Sequence, residues 1–278
     1  MTVVERLCAP TRGALLARAV AGPRDATCVP AGVRSQLVAR LAARLAGDRR
    51  RHRVDSFAAE LGPARFDAPF AWSARVARRP IGTSVAGLVA AGAMPDALSA
   101  AAFEIERLCD RAHRGLLRRG ALGAWLDAAP GAVRSLCAVE AATWAERLLR
   151  LVEPGPDGAI AVGIPDAWFE VPGTTVTLQG RLDATLRGVD AGSLALLRVR
   201  DGVPAASAPD GLVVDALVAS LGGQRPTRMV GAWPDAGLCL LVDFDDEAMR
   251  QAARLVLTCA DAIAASAAPA TGVEAIAA

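Results

Sequence analysis

The stretch Val171-Pro-Gly-Thr-Thr-Val-Thr-Leu-Gln-Gly-Arg-Leu-Asp-Ala-Thr-Leu-Arg-Gly-Val-Asp-Ala-Gly-Ser-Leu-Ala-Leu-Leu-Arg-Val-Arg-Asp-Gly202 decides the fold. It holds two β-like runs, 176–186 and 194–199, meeting at a turn. Asp183 lies in the first run. Arg198 and Arg200 stand one residue apart on the second. Side chains alternate along a strand, so the two arginines share one face.

Downstream, 209–221 returns to helical spacing, and 228–233 with 238–244 predicts a hairpin around Pro234-Asp-Ala-Gly237. Residues 245–265 close the pattern as a helix whose acidic first turn suits the helix dipole. Upstream, 159–164 and 167–171 are further β-like runs. They follow a change of period at Glu153-Pro-Gly-Pro-Asp-Gly158, before which the chain reads as helical.

In that first half, Leu37, Leu41 and Leu45 form the stripe of an amphipathic helix over 33–47. A helix is predicted to start at Pro80, capped by Thr83 or Ser84. A long one covers 95–119, and another covers 130–152, bounded by Pro130 and Pro154. Residues 1–30 read as irregular, with a short helix near 11–20. The proline-broken segment with Phe57, Phe66, Phe70 and Trp72 reads as a packed connector; a base-stacking surface there would need exposed rings.

The predicted order is several helices, then β-β-β-α-β-β-α. This is an α+β or mixed α/β architecture with a helical N-terminal half. The predicted regions are 1–77, 78–265 and a flexible tail at 266–278.

The 278 residues are 53% apolar, enough for a substantial core. There is no Lys, Asn or Tyr, and all 31 basic residues are Arg, a skew that GC-rich coding explains. No lysine can serve as base or phosphate clamp, and no tyrosine as general acid. The net charge of +2 neither demands nor excludes a nucleic-acid partner. With His52 and His113 alone, a multi-histidine metal site within one chain is excluded. The six cysteines lack C-x-x-C spacing, and Arg12, Arg18, Arg24 and Asp25 interrupt any signal-like apolar run near the start. These features predict reduced thiols, a cytoplasmic location and no membrane span.

The densest basic run is Asp48-Arg-Arg-Arg-His-Arg-Val54. Its arginines read either as phosphate contacts or as a solvated helix end. His113, Ser56, Ser84 and Ser135 lack catalytic context, and Gly120–Gly123 and Gly222-Gly223 form no phosphate loop. Trp168 and Trp233 read as packing residues, and Asp243–Glu247 as a strand end and helix start.

Three local patterns resemble the RecB-like branch of the PD-(D/E)XK nuclease superfamily over roughly residues 78–265. Ile81-Gly-Thr-Ser-Val-Ala-Gly-Leu88 is similar to the helix-opening "Gly-Thr-x-x-His-x-x-Leu". Leu178-Gln-Gly-Arg-Leu-Asp183 is similar to the "Gly-Arg-Ile-Asp" strand, and Leu196-Leu-Arg-Val-Arg-Asp-Gly202 to "Val-Asp-Tyr-Lys-Thr-Gly". The helix Gly211-Leu-Val-Val-Asp-Ala-Leu217 takes the place of "Gln-Leu-x-x-Tyr-Ala-Leu".

The resemblance implies carboxylates on adjacent strands holding Mg²⁺ or Mn²⁺ at a scissile phosphate, with a lysine positioning the attacking water. Little of that set is present. Ala86 stands at the histidine position, Arg198 at the second acid, Arg200 at the lysine, and Gly211 and Asp215 at the glutamine and tyrosine. Asp183 alone is retained, as the metal ligand if the site is active. A guanidinium cannot ligate a metal, and it stays protonated. An ion pair of Asp183 with Arg198 or Arg200 would then fill the former metal site.

Three functions are therefore expected as alternatives. The first is a catalytically degenerate nuclease-fold protein with no cofactor. It would bind DNA, or a helicase or repair partner, through Arg181, Arg198 and Arg200, with Arg49, Arg50 and Arg51 as further phosphate contacts. In its bland form the arginines merely neutralise Asp183. The second is an active Mg²⁺- or Mn²⁺-dependent deoxyribonuclease into whose site Glu170, Asp190, Asp201 or Asp215 has migrated. The third is an interaction subunit with no nucleic-acid role.

Overall fold

The computed structural model describes residues 4–8, 29, 31–45, 53–55, 71–117, 121–152, 159–161, 168–174, 177–180, 182–187 and 194–267. Its main sheet takes strands from both ends of the chain. They are β1 (Val4–Cys8), β3 (Ala159–Ala161), β6 (Ala184–Arg187), β7 (Leu194–Val199), β8 (Arg228–Trp233) and β9 (Leu238–Asp243). The spatial order is β1-β9-β8-β7-β6-β3. Neighbours are antiparallel except β7 and β8, which run parallel. A parallel pair needs a crossover, here the helix α6 (Ala208–Leu221).

Strand alternation divides the core in two. Ala195, Leu197 and Val199 of β7 point to one face, with Ala184, Leu186, Val230 and Ala232. That face is covered by α2 (Ala74–Ala90), α3 (Ala97–His113), α4 (Leu122–Ala128) and α5 (Gly131–Val152). Leu196, Met229, Leu240 and Val242 point to the other. There they meet α1 (Ala31–Leu45), α6 and α7 (Asp246–Ala267). The fold is mixed α+β, with a helical first half as the periodicity predicts.

Two described elements of the first 77 residues, β1 and α1, join these same layers. β1 extends the sheet beside β9, with Val4 facing Val242 and Cys8 facing Leu238. Leu37 and Leu41 of α1 are buried in the second core, as their stripe predicts. The reading of 1–30 as irregular is therefore corrected at β1. A five-residue edge strand carries too little periodicity to announce itself. The helix expected near 11–20 lies outside the described residues.

Three further boundaries differ from the sequence reading. The helix assigned to Pro80 starts at Ala74, where the Ser73 hydroxyl accepts from the Val76 N–H at 3.3 Å. Pro80 removes one backbone donor inside this helix, but buried Ala77, Ile81 and Val85 on either side anchor it in the core. Thr83 does not cap; its hydroxyl donates to the Arg79 carbonyl at 2.9 Å.

The long helix expected over 95–119 stops at His113. Gly115 adopts φ +70 there. The Gly115 N–H then bonds the Ala112 carbonyl at 2.9 Å and the Leu116 N–H the Arg111 carbonyl at 3.0 Å, a Schellman ending that turns the chain into the separate α4.

The run 176–186 is not one strand. It divides into β5 (Thr177–Gln179) and β6, which belong to different sheets. β5 sits between β4 (Trp168–Glu170), antiparallel, and β2 (Arg53–Asp55), parallel. Gly180, buried, follows β5 at the break.

Candidate functional site

β7 and α6 build the candidate site. α6 is buried on every side from Gly211 to Leu221, as its apolar composition requires. Asp215 interrupts that run with no exposed surface. A buried carboxylate needs a partner. β7 supplies it: Arg198, 7% exposed, lies on the α6 side of the sheet and its Nη1 donates to Asp215 Oδ2. Across the ladder Arg198 faces Gly231 of β8. The Trp233 ring folds back over that glycine so closely that a Cβ there would lie 2.6 Å from it. Glycine is thus fixed by a close approach beside the ion pair.

Asp183 is half-buried at the entry to β6. Its N–H donates to the Leu197 carbonyl at 2.9 Å, and its Oδ2 accepts the Val199 N–H at 2.7 Å. Leu197 already faces Ala184 in the ladder, and extending that register by one residue sets Asp183 across from Arg198. The retained acid therefore holds the edge of β7 through its backbone. Arg198, expected beside Asp183, makes an ion pair with Asp215. Sequence had placed Asp215 at the tyrosine position and among the candidate migrated acids.

Arg200 is half-buried just past β7, and its N–H closes the ladder with the Ala232 carbonyl at 2.9 Å. Alternation sets its side chain on the same face as Arg198, farther toward the strand's end. Ala86, at the family's histidine position, is fully buried in the other core cluster, among Ala184 and Leu197. The helix pattern and the Arg198–Asp215 pair thus occupy opposite faces of the sheet. Arg49, Arg50, Arg51, Arg181 and Asp190 lie outside the described residues.

Of the other candidate acids, Glu170 ends β4 exposed. Asp201 belongs to a network that the sequence reading missed. Arg78 of α2, 11% exposed at its side chain, donates from Nη2 to Asp201 at 2.8 Å and to Asp235 at 2.6 Å. Arg147 of α5 donates to the other Asp235 oxygen at 3.1 Å, and Glu140 stands 4.0 Å from Arg78. Burial pulls the Arg78 pKa down, but the hydrogen bonds and charges of Asp201 and Asp235 outweigh it and the net shift is upward. No local signal marks these partners, which lie 123 and 157 residues from Arg78.

Among the described residues no group of three or more His, Cys, Asp or Glu side chains is placed to hold a metal ion. His113 ends α3, 83% exposed at its side chain, with Nδ1 3.7 Å from the Asp127 carboxylate of α4. Cys109, Cys137, Cys239 and Cys259 are free thiols, and all but Cys109 are buried. Burial pushes the Cys239 thiol up to about 12, so it is not a nucleophilic thiolate near neutrality. Trp233 is buried as expected, and Trp72, half-buried, packs 6.5 Å from the Trp125 ring of α4. Among the described residues no helix is long and apolar enough to cross a membrane. No protein-family model matches the chain, and no curated protein matches it.

Proposed function

We propose that the chain is a catalytically degenerate protein on the PD-(D/E)XK plan that binds a phosphodiester backbone, DNA in the first instance, without cutting it. The order of elements supports this reading. β3, β6 and β7 form an antiparallel meander, α6 crosses over, and β8 returns parallel to β7. The observation that carries it is the Arg198–Asp215 pair. The strand position that would present a second metal-binding acid holds a cation, and that cation is neutralised from within. Metal-assisted hydrolysis loses its electrostatic basis. Phosphate contact then falls to Arg200, whose planar fork suits a bidentate phosphate contact.

Two assays on the full chain test the reading. No Mg²⁺- or Mn²⁺-dependent cleavage of linear, duplex or single-stranded DNA is expected; cleavage that Asp183→Ala abolishes would overturn it. Salt-sensitive DNA binding is expected, and Arg200→Ala should reduce the slope of log K against log salt by about one.

A second reading, an interaction subunit without a nucleic-acid role, has its own support. Leu98 and Phe103 of α3 and Leu136 and Val139 of α5 are large apolar side chains exposed on neighbouring helices. Absence of DNA binding at low salt would favour it.

A further inference from the structure

The two parallel strands of the main sheet finish at the same end of the molecule. β7 exits through Arg200 and Asp201, and β8 exits through Pro234 and Asp235. One backbone hydrogen bond, from Arg200 N–H to the Ala232 carbonyl, ties the two exits. Beyond it both carboxylates turn to the helical layer and end on a single nitrogen, Nη2 of Arg78. Arg78 stands on a helix anchored by Ala77 and Ile81 in the core. Arg147 of α5 holds the free oxygen of Asp235 from a second helix.

We infer that Arg78 is a positioning residue for Arg200: its guanidinium clamps the two strand exits together and so sets the direction in which Arg200 leaves the sheet. The inference rests on the phosphate-binding reading of Arg200 and adds how that residue is held. Neighbouring side chains at a strand end point to opposite sides. Fixing Asp201 against α2 therefore fixes Arg200 toward the α6 side. Asp201 is partly exposed at 45%, and Gly202 follows it at φ +75. Once unclamped, the exit loop has a flexible residue next to its anchor, and the geometry of Arg200 relaxes.

Asp201→Asn gives a test in which charge and position predict opposite signs. Removing a negative charge beside a phosphate site should tighten DNA binding if bulk electrostatics governs. If the clamp positions Arg200, binding weakens instead, by severalfold at constant salt. In the Arg200→Ala background the same substitution then costs nothing further. The probe is a fluorescein-labelled single-stranded oligonucleotide, and the readout is anisotropy across a salt series.

Backbone amide hydrogen exchange gives a second measurement that needs no ligand. Arg78→Ala should accelerate exchange about tenfold or more at 200–206 and 234–237 while leaving α3 unchanged, and Arg78→Lys should restore part of the protection. Tighter binding of Asp201→Asn, or equal acceleration throughout the chain in Arg78→Ala, overturns the clamp. Arg200→Ala without effect on DNA binding overturns the phosphate reading, and exchange alone then decides the clamp.

Discussion

Arg198 of β7 and Asp215 of α6 meet inside the second core, on the face of the sheet away from α2, and Asp215 exposes no surface at all. The two positions are 17 residues apart, one on the strand that leads into the crossover and one on the crossover helix. The pair thus pins the crossover helix against the strand that precedes it. Desolvation cancels much of such a pair's attraction, so its worth shows mainly when one partner is removed.

Arg198→Met should destabilise the protein by about 3–5 kcal/mol, because the fully buried Asp215 carboxylate loses its guanidinium partner. Asp215→Leu alone should cost a similar amount. The double variant should recover most of the loss, since an apolar pair of similar volume fills the same space. Urea unfolding of the three variants checks this. Additive losses in the double variant would show that the two side chains do not act as a pair.

Divalent metal should leave the folded state untouched. A ligand that binds only the native protein raises its melting temperature in proportion to the logarithm of its concentration over Kd. With Arg198 beside Asp183 in register, millimolar Mg²⁺ or Mn²⁺ should shift Tm no more than the same ionic strength of NaCl. A specific rise, lost in Asp183→Ala, would point to a metal site.

Two glycines should respond to alanine with opposite signs. At Gly82 a Cβ would lie 2.7 Å from the Trp144 ring and 2.9 Å from the Ala141 carbonyl, so α2 and α5 must part. The expected cost is about 1–3 kcal/mol. Gly32, in the first turn of α1, has nothing within 4 Å of such an atom. Alanine there should stabilise by about 0.4–1 kcal/mol through the unfolded chain's entropy. Thermal melts of both variants give the comparison.

The acid limb of the stability curve should carry the mark of Asp96. Its carboxylate accepts the Ser99 N–H at 2.8 Å and the Ser99 hydroxyl at 2.7 Å at the start of α3. The backbone bond first and then the hydroxyl hold its pKa below the usual 3.8. A depressed folded-state pKa gives stability that is present above the unfolded value and lost as pH falls through the folded one. Asp96→Ala should therefore be less stable than the wild type at pH 7, and the gap should close below about pH 3.8. A gap that does not narrow as the pH falls would assign the effect to capping that does not need the charge.

The second half of the chain was the more legible because its signals are local. Pro234 to Gly237 marks a turn between two apolar runs, and β8 and β9 lie on either side of it as expected. The apolar run of α6 and the acidic start of α7 likewise announce themselves within a few residues. Where sequence misled, distant contacts prevailed. Pro80 reads as a helix start on propensity, yet α2 is held in the core on both sides of it. Gly180 gives little hint that β5 and β6 join different sheets, since that depends on where β2 pairs. The site shows the same division. Arg198 and Asp183 were identifiable by position on their strands. That Arg198 would choose Asp215 depended on which face of β7 the crossover helix covers. The Arg78 clamp joins elements that are remote in sequence and carries no local signature.

The pairing of β1 with β9 sets the order in which the protein can be completed during synthesis. Val4 is made well before its cross-strand partner Val242, with nearly all the other described elements between them. Until then β1 has nowhere to dock, and once β9 emerges its outer edge is open until β1 returns to it. Closure of this sheet is therefore a late event with a long loop to draw in. The nascent chain is most vulnerable to pairing with another copy in the interval between making β9 and recapturing β1.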